Sequence, residues 1–139
     1  MKKRLSVFII LLFCAVGTFA DAKTNAPQQS DIFISGQNGY HTYRIPALIV
    51  TKKGTVLAFC EARKNSKSDT GDIDLVLKRS RDGGKTWSEQ QVVWDDDANT
   101  CGNPCPVVDE TTGTIWLLLT HNLGADNERD IKLKTAKGT

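Results

Sequence analysis

The chain has 139 residues, of which 24% are charged and 40% are hydrophobic, and its formal net charge at pH 7 is only +2. Its lysines are scattered and form no basic stripe interleaved with aromatic residues, so the composition argues against nucleic acid as a partner. A chain of this length ordinarily forms one domain with a modest hydrophobic core.

The N-terminus has the pattern of an export signal. Basic residues at positions 2–4 precede an apolar segment at 5–16, and small residues follow at Ala20 and Ala22. The pattern predicts a signal peptide over residues 1–22, because a membrane-spanning helix would need about twenty consecutive apolar residues. The mature chain is therefore expected to be exported to the periplasm, the cell surface or the medium, with no membrane span.

The rest of the chain divides into a linker and a folded part. Residues 23–30 are polar and lack hydrophobic periodicity, which predicts a disordered linker, and the folded part is expected to cover residues 31–139. Short β-branched and apolar runs separated by turn residues predict four strands, at residues 45–50, 55–62, 73–80 and 91–94. Four such antiparallel strands make one propeller blade. A second unit is predicted with strands at 106–109, 114–120 and 130–135.

The third predicted strand ends in the octapeptide from Ser80 to Trp87, which matches an S-x-D-x-G-x-T-W pattern. Asp82 can accept hydrogen bonds from backbone amides two residues on, and the two glycines that follow it can adopt positive φ. Trp87 is large enough to cover one side of the turn. Turn chemistry explains each residue, so the octapeptide is interpreted as structural rather than catalytic.

Two motifs together resemble those of one family. The octapeptide resembles the Asp box that recurs on the blades of sialidases, and Tyr43-Arg44-Ile45-Pro46 resembles the F/Y-R-I-P motif that opens their catalytic domain. The resemblance implies an all-β fold, a six-bladed β-propeller, of which this chain would supply about one and a half blades. Fewer than two blades cannot close a ring, so the chain is interpreted as the N-terminal part of a longer sialidase-like chain.

The resemblance also implies roles for individual residues. Arg44 would be the first of three arginines that bind the substrate carboxylate, since a guanidinium donates two parallel hydrogen bonds and stays charged. Arg63 would line the pocket near the sugar hydroxyls, and Asp69 would protonate the departing glycosidic oxygen. Asn103 would be a further substrate-binding residue, although turn chemistry beside a glycine and a proline explains it equally well. His121 lies where the family often has an aromatic side chain near the acyl pocket.

Two other carboxylates compete for the acid role. Burial against substrate should raise the pKa of Asp69, and the neighbouring cations should oppose that rise. Asp72 is expected to cap the polar loop, and Asp74 to point outward from its strand, because it alternates with apolar neighbours. Asp69 is favoured over both, since its spacing from Arg63 and its serine-rich setting fit an acid-bearing loop.

The function implied by the resemblance is that of an exo-α-sialidase, a retaining glycoside hydrolase. It would remove terminal sialic acid from glycoproteins, glycolipids and oligosaccharides. Sialidases use a tyrosine nucleophile, and Tyr40 and Tyr43 come too early in the chain to match it. The nucleophile, its glutamate partner and two further arginines are expected beyond Thr139, so the chain alone should be inactive. The alternative is a non-catalytic Asp-box propeller that binds glycans or proteins; the arginine and aspartate set favours the enzyme.

No cofactor and no metal is expected. Cys60 lies in an apolar run and is interpreted as a core residue. Cys101 and Cys105 are interpreted as buried or locally bridged, because no second pair and no nearby histidine completes a zinc site. The acidic run at 95–97 lacks the ligand spacing of a calcium loop.

Overall fold

The computed structural model describes residues 29–138. The predicted signal peptide and most of the predicted linker lie outside this range. The described part has six strands and one short helix, with the bounds β1 Thr42–Val50, β2 Val56–Arg63, β3 Ile73–Ser80, β4 Gln91–Trp94, β5 Thr100–Val108, β6 Ile115–Asn122 and α1 Glu128–Lys132. No helix in this part is long and apolar enough to cross a membrane.

The first four strands form one antiparallel blade. β1 pairs with β2, β2 with β3, and β3 with β4. β5 and β6 form an antiparallel hairpin, which joins the blade through a parallel pair between Ile73 and Thr100. β5 also contacts β1 and β2. Within residues 29–138 the sheet stays open, so the prediction of an all-β, propeller-type fold with one blade and the start of another is confirmed.

β2 and β3 are the buried centre of the blade, because other residues cover both of their faces. This explains why their sequences are nearly continuous apolar runs. One face carries a buried cluster of four large side chains, Leu57, Phe59, Leu75 and Leu77. The other face packs against the segment before β1 through Tyr40, Cys60, Ala62 and Val76. Each fully buried large apolar side chain stabilises the fold by about 1.5–3 kcal/mol.

The cysteines of the described part are all free. Cys60 is a core residue, as predicted, and its thiol donates to the Arg44 carbonyl at 3.0 Å. Of the two alternatives predicted for Cys101 and Cys105, burial holds for Cys101, whereas Cys105 is exposed and no bridge joins the two. Burial raises the pKa of Cys60 to about 12 and that of Cys101 to about 11, which keeps both thiols protonated at neutral pH.

β5 is longer than predicted. It begins at Thr100 rather than at residue 106, because a shift in register between Gly102 and Cys105 lets pairing with β6 continue past Pro104. A bulge of this kind accommodates a proline inside a strand, since the bulged residues leave the regular hydrogen-bonding pattern.

The predicted strand at residues 130–135 is wrong. This region contains α1, which begins at Glu128 and ends at Lys132. The Asn127 side chain caps the helix by accepting a hydrogen bond from the Asp130 N–H at 3.1 Å. Local capping chemistry therefore prevails over the weak alternation of apolar residues in this segment.

The turn after β3 is held by the Asp82 carboxylate. It accepts hydrogen bonds from the N–H groups of Lys85 at 3.0 Å and Thr86 at 2.9 Å. These amides lie three and four residues on, not two as predicted, because Gly83 and Gly84 both adopt positive φ and widen the turn. All these contacts stay within the turn, which agrees with its structural interpretation.

The acidic turns should make the stability of the chain depend on pH. Hydrogen bonds from Thr86 lower the pKa of Asp82, and those from Thr111 and Thr112 lower the pKa of Asp109 from 3.8 to about 2. Because the folded-state pKa is depressed, the stabilisation is complete above 3.8 and is lost as the pH falls towards 2. We expect the urea midpoint of the chain to fall across this window.

The urea midpoints of two variants test the contribution of the turn at Asp109. In Asp109→Asn the urea midpoint should fall less than in the parent chain as the pH is lowered. In Asp97→Asn, a matched change at another exposed turn, it should fall as much as in the parent chain. An unchanged pH profile in Asp109→Asn would contradict the assignment.

One face of the β5–β6 hairpin exposes large apolar side chains. Val107 and Trp116 are direct partners across the hairpin, and Leu118 lies two residues further along β6. Their exposed fractions are 51%, 62% and 62%, and β6 is the edge strand of the sheet described here. An apolar face beside an open strand edge favours association.

We expect the isolated chain to self-associate through this face. Light scattering at micromolar concentration should report a mass above that of the monomer. The double variant Trp116→Lys with Leu118→Lys should shift the mass towards the monomer, and Thr114→Lys, a change just before β6, should not. A monomeric parent chain with a sharp cooperative melt would contradict the expectation.

Candidate functional site

A cavity of about 620 Å³ lies between the two β units. Its wall is formed where β1 and β5 begin and where β2 and β6 end, and loop 64–72 and the region of α1 complete it. Its polar lining residues include Glu61, Arg63, Asp69, Asn103, Thr120 and His121. Its volume lies in the range of small-molecule sites.

Two bulges shape the wall of this cavity. β1 breaks register between Arg44 and Ala47, and β5 breaks it between Gly102 and Cys105. Ile45 in the first bulge has φ of 53° and Asn103 in the second has φ of 51°. Positive φ is strained for a β-branched residue such as Ile45, and strained backbone of this kind concentrates at functional sites.

Asp69 lies between two guanidinium groups. Its Oδ1 is 2.8 Å from Arg44 Nη1 and 2.7 Å from Arg63 Nη1. The hydrogen bond from Arg63, together with the charges of both arginines, lowers the pKa of Asp69 against the opposing effect of burial. The structure therefore brings together three residues that lie 25 positions apart or less in sequence.

The rise in the pKa of Asp69 is expected on burial against substrate; in the chain by itself the neighbouring cations lower the pKa. Its side chain is 75% exposed, and its contacts with the two cations outweigh the opposing effect of burial on its pKa. Asp69 is consequently a carboxylate at neutral pH while both arginines hold it.

Arg63 is buried and makes several contacts with the protein. Its side chain is 3% exposed and pairs with Glu61, with Nη2 2.6 Å from Glu61 Oε2. Its Nη1 donates to the carbonyls of Lys67 and Ser68, both at 2.7 Å. Arg63 thus holds the loop that carries Asp69, in addition to lining the cavity as expected from the resemblance.

Asp74 does not point outward, so that prediction is wrong. Its side chain is 1% exposed and accepts a hydrogen bond from the Tyr40 hydroxyl at 2.5 Å. The segment before β1 covers this face of β3, which the alternating pattern could not indicate. Burial raises the pKa of Asp74, against the opposing effects of Tyr40 and Lys64. Asp74 is closed off from the cavity and is excluded as its acid.

Lys64 is not a solvated surface lysine. Its Nζ lies 3.2 Å from Asp72, 3.4 Å from Asp74 and 3.4 Å from Asp95. Burial lowers the pKa of Lys64, but the carboxylates of Asp72 and Asp74 outweigh burial and raise it overall. Asp72 therefore fixes the base of loop 64–72, close to the capping role predicted for it.

Asn103 has the turn-like backbone that the sequence allowed, and it also lines the cavity, while its role in substrate binding stays a prediction. Its backbone takes the positive φ of a bulge, and its side chain Nδ2 donates to the Thr120 hydroxyl at 3.0 Å inside the cavity wall. Next to it, His121 also lines the cavity. The His121 Nε2 is 2.7 Å from Asp96 Oδ2, and its ring stacks on Trp94 with centroids 5.1 Å apart.

No group of three or more histidine, cysteine or carboxylate side chains within residues 29–138 could hold a metal ion.

The two tyrosines at positions 40 and 43 lie outside the cavity. The Tyr40 hydroxyl is bound to Asp74, and the Tyr43 hydroxyl contacts the Gln37 carbonyl at 3.1 Å and Gln90 at 2.9 Å. Neither residue lines the cavity.

Sequence reasoning missed Glu61. It is a charged residue inside an apolar strand, and it is 3% exposed. A lone acid in an otherwise hydrophobic strand is rarely buried without a partner, and that signal could have identified it. Its partners, Arg63 and the backbone of Asn103, show why it is tolerated.

The open blade, and a cavity lined by Arg63 and by Asp69, to which Arg44 also binds, define a β-propeller-type protein with a charged site between its two β units. The chain belongs to the BNR repeat-like domain family, whose profile matches residues 54–137. It is 41% identical over 90 residues to an exo-alpha-sialidase of Aspergillus fumigatus, in an alignment that covers 60% of this chain and 22% of that protein.

Two other similar proteins are also sialidases. A sialidase of Micromonospora viridifaciens is 38% identical over 92 residues, covering 63% of this chain and 14% of that protein. The solved structure of a Hadza microbial sialidase superimposes with a TM-score of 0.60 at 32% identity, covering 67% of this chain and 20% of that chain. The aligned part is thus 14% to 22% of the length of these relatives, and the sialidase-like character of the chain is shown at the level of the family.

Proposed function

We propose that this chain carries part of the substrate site of an exported exo-α-sialidase, which removes terminal sialic acid from glycoconjugates with retention of configuration. The observation that carries the proposal is the convergence of Arg44 and Arg63 on one carboxylate oxygen of Asp69. A pair of guanidinium groups at the edge of a sugar-sized cavity suits a sugar that bears a carboxylate. Export is supported by the signal-like pattern at positions 1–22.

Each of the site residues has its own role in this proposal. Arg44 is half-exposed, so its guanidinium is available to bind the carboxylate of sialic acid. Asp69 donates a proton to the glycosidic oxygen as the bond breaks. Asn103 and Arg63 complete the wall that contacts the sugar. The proton on Asp69 requires a change of environment, which the substrate supplies when its own carboxylate replaces Asp69 on Arg44.

We expect this chain to bind the sugar without hydrolysing a sialoside. No tyrosine of the described part lines the cavity. We therefore expect the 139-residue chain to bind N-acetylneuraminic acid weakly and not to hydrolyse a fluorogenic sialoside. Turnover is expected only from the longest chain expressed from its gene.

The test is an NMR titration of the chain with N-acetylneuraminic acid. Signals of Arg44, Asp69 and Asn103 should shift together, and the methyl ester of the same sugar, which lacks the carboxylate charge, should produce much smaller shifts. Equal shifts with acid and ester would contradict carboxylate recognition. Binding without turnover in the longest chain would instead favour the non-catalytic glycan-binding alternative.

A further inference from the structure

Glu61 is a buried acid to which the proposed mechanism gives no role. Its side chain is 4% exposed, and the residue lines the cavity. Such a group is costly to bury unless every lone pair has a partner, so its contacts indicate what holds it there.

The carboxylate of Glu61 links two different strands. Its Oε2 accepts hydrogen bonds from Arg63 Nη2 at 2.6 Å and from Arg63 Nε at 3.2 Å. Its Oε1 accepts the backbone N–H of Asn103 at 2.9 Å. One side chain therefore connects the end of β2 to the bulge of β5 across the cavity.

The space for this link is provided by Gly102. A Cβ atom at that position would lie 2.5 Å from Glu61 Oε1. Gly102 is absent from the glycines with positive φ in the described range, so close approach rather than backbone conformation explains the glycine.

Glu61 also determines the direction of Arg63. A guanidinium is planar, so fixing Nε and Nη2 fixes Nη1 as well. That third nitrogen points at loop 64–72, where it lies 2.7 Å from the carbonyls of Lys67 and Ser68 and 2.7 Å from Asp69 Oδ1. The contacts form a continuous connection from Asn103 through Glu61 and Arg63 to Asp69.

We propose that Glu61 is a positioning residue: it orients Arg63, and through Arg63 it fixes the loop that presents Asp69 to the cavity. It touches no substrate. The kinetic consequence rests on the proposed function, whereas the structural consequence is independent of it.

The structural consequence is measured in the chain itself by NMR hydrogen exchange. In Glu61→Gln the shape is kept, but an NH₂ group must face an N–H donor of Arg63 or Asn103. The Arg63 Nε–H and the Ser68 amide, which donates to the Ser66 hydroxyl within the loop, should exchange about tenfold faster or more. Glu110→Gln, a matched change at an exposed turn, should leave these rates unchanged, and Glu61→Asp should give an intermediate result.

The kinetic consequence is measured in the longest chain expressed from its gene. Glu61→Gln should reduce kcat for a natural sialoside about tenfold more than for an aryl sialoside, because a displaced Asp69 withholds a proton that only the natural leaving group needs. A purely structural role would reduce both equally.

The outcomes separate the two proposals. Parent-like exchange in a folded Glu61→Gln overturns the positioning role, and so does the loss of the fold in both Glu61 variants, which would assign Glu61 to the core. Faster exchange with no sialidase activity in the longest chain would support the positioning role while refuting the proposed function.

Discussion

Replacing Asp69 by Asn in the longest chain expressed from its gene should reduce kcat for a natural sialoside by about 10²–10⁴-fold and largely spare an aryl sialoside. The difference arises because a sugar leaving group needs a proton as the bond breaks, whereas a phenolate leaves without one. Asn keeps the size of the side chain and cannot donate that proton as an acid.

The contacts of Asp69 add a second expectation to this variant. In the structure its carboxylate occupies Arg44 and Arg63, at 2.8 Å and 2.7 Å. The neutral amide of the Asp69→Asn variant would no longer compete as an anion for Arg44, so KM should not rise while kcat falls. The measurement is a comparison of kcat and KM for both substrates.

One control variant and one alternative candidate for the acid complete the comparison. Asp97→Asn changes an exposed turn outside the cavity and should leave both substrates unaffected. Equal losses on the two substrates in Asp69→Asn would refute the acid role, and Asp72 would then be the next candidate, so its Asn variant should be assayed alongside.

Replacing Arg44 by Lys should weaken binding of every sialic-acid ligand by about 10–100-fold, whatever its leaving group. Lysine keeps the positive charge but lacks the planar fork that donates two parallel hydrogen bonds to a carboxylate. The loss should appear as a higher dissociation constant for N-acetylneuraminic acid and as a higher KM for both natural and aryl sialosides.

The matched control for this change is Arg81→Lys in the exposed turn after β3, which should bind like the parent chain. The methyl ester of sialic acid supplies a second check, because its weaker binding should be nearly insensitive to Arg44→Lys. A leaving-group-dependent effect would contradict the assignment of Arg44 to the carboxylate.

Local chemistry made much of this fold predictable. β3 and β4 have the predicted bounds, and β1, β2 and β6 differ from the predicted strands by three residues or fewer at each end. The turn at Asp82 follows from side-chain hydrogen bonds and glycines within the same eight residues. The proximity of Arg63 and Asp69 likewise depends on a short loop, so sequence spacing could indicate it.

Long-range packing decided the rest. Asp74 was expected to face solvent, but Tyr40, 34 positions away, covers and binds it. Glu61 had no assigned role until Asn103, 42 positions away, appeared as its partner. Alternation along a strand shows which residues share a face and not what covers that face.

The sequence by itself determined the all-β character, the turn chemistry and the motif residues around Arg44 and Asp69, because each depends on residues near one another in the chain. Only the tertiary structure decided which carboxylates are buried and that a buried Glu61–Arg63 pair contacts the loop that carries Asp69. The physical reason is that desolvation and ion pairing are set by the elements that fold over a strand, and these elements come from distant parts of the sequence.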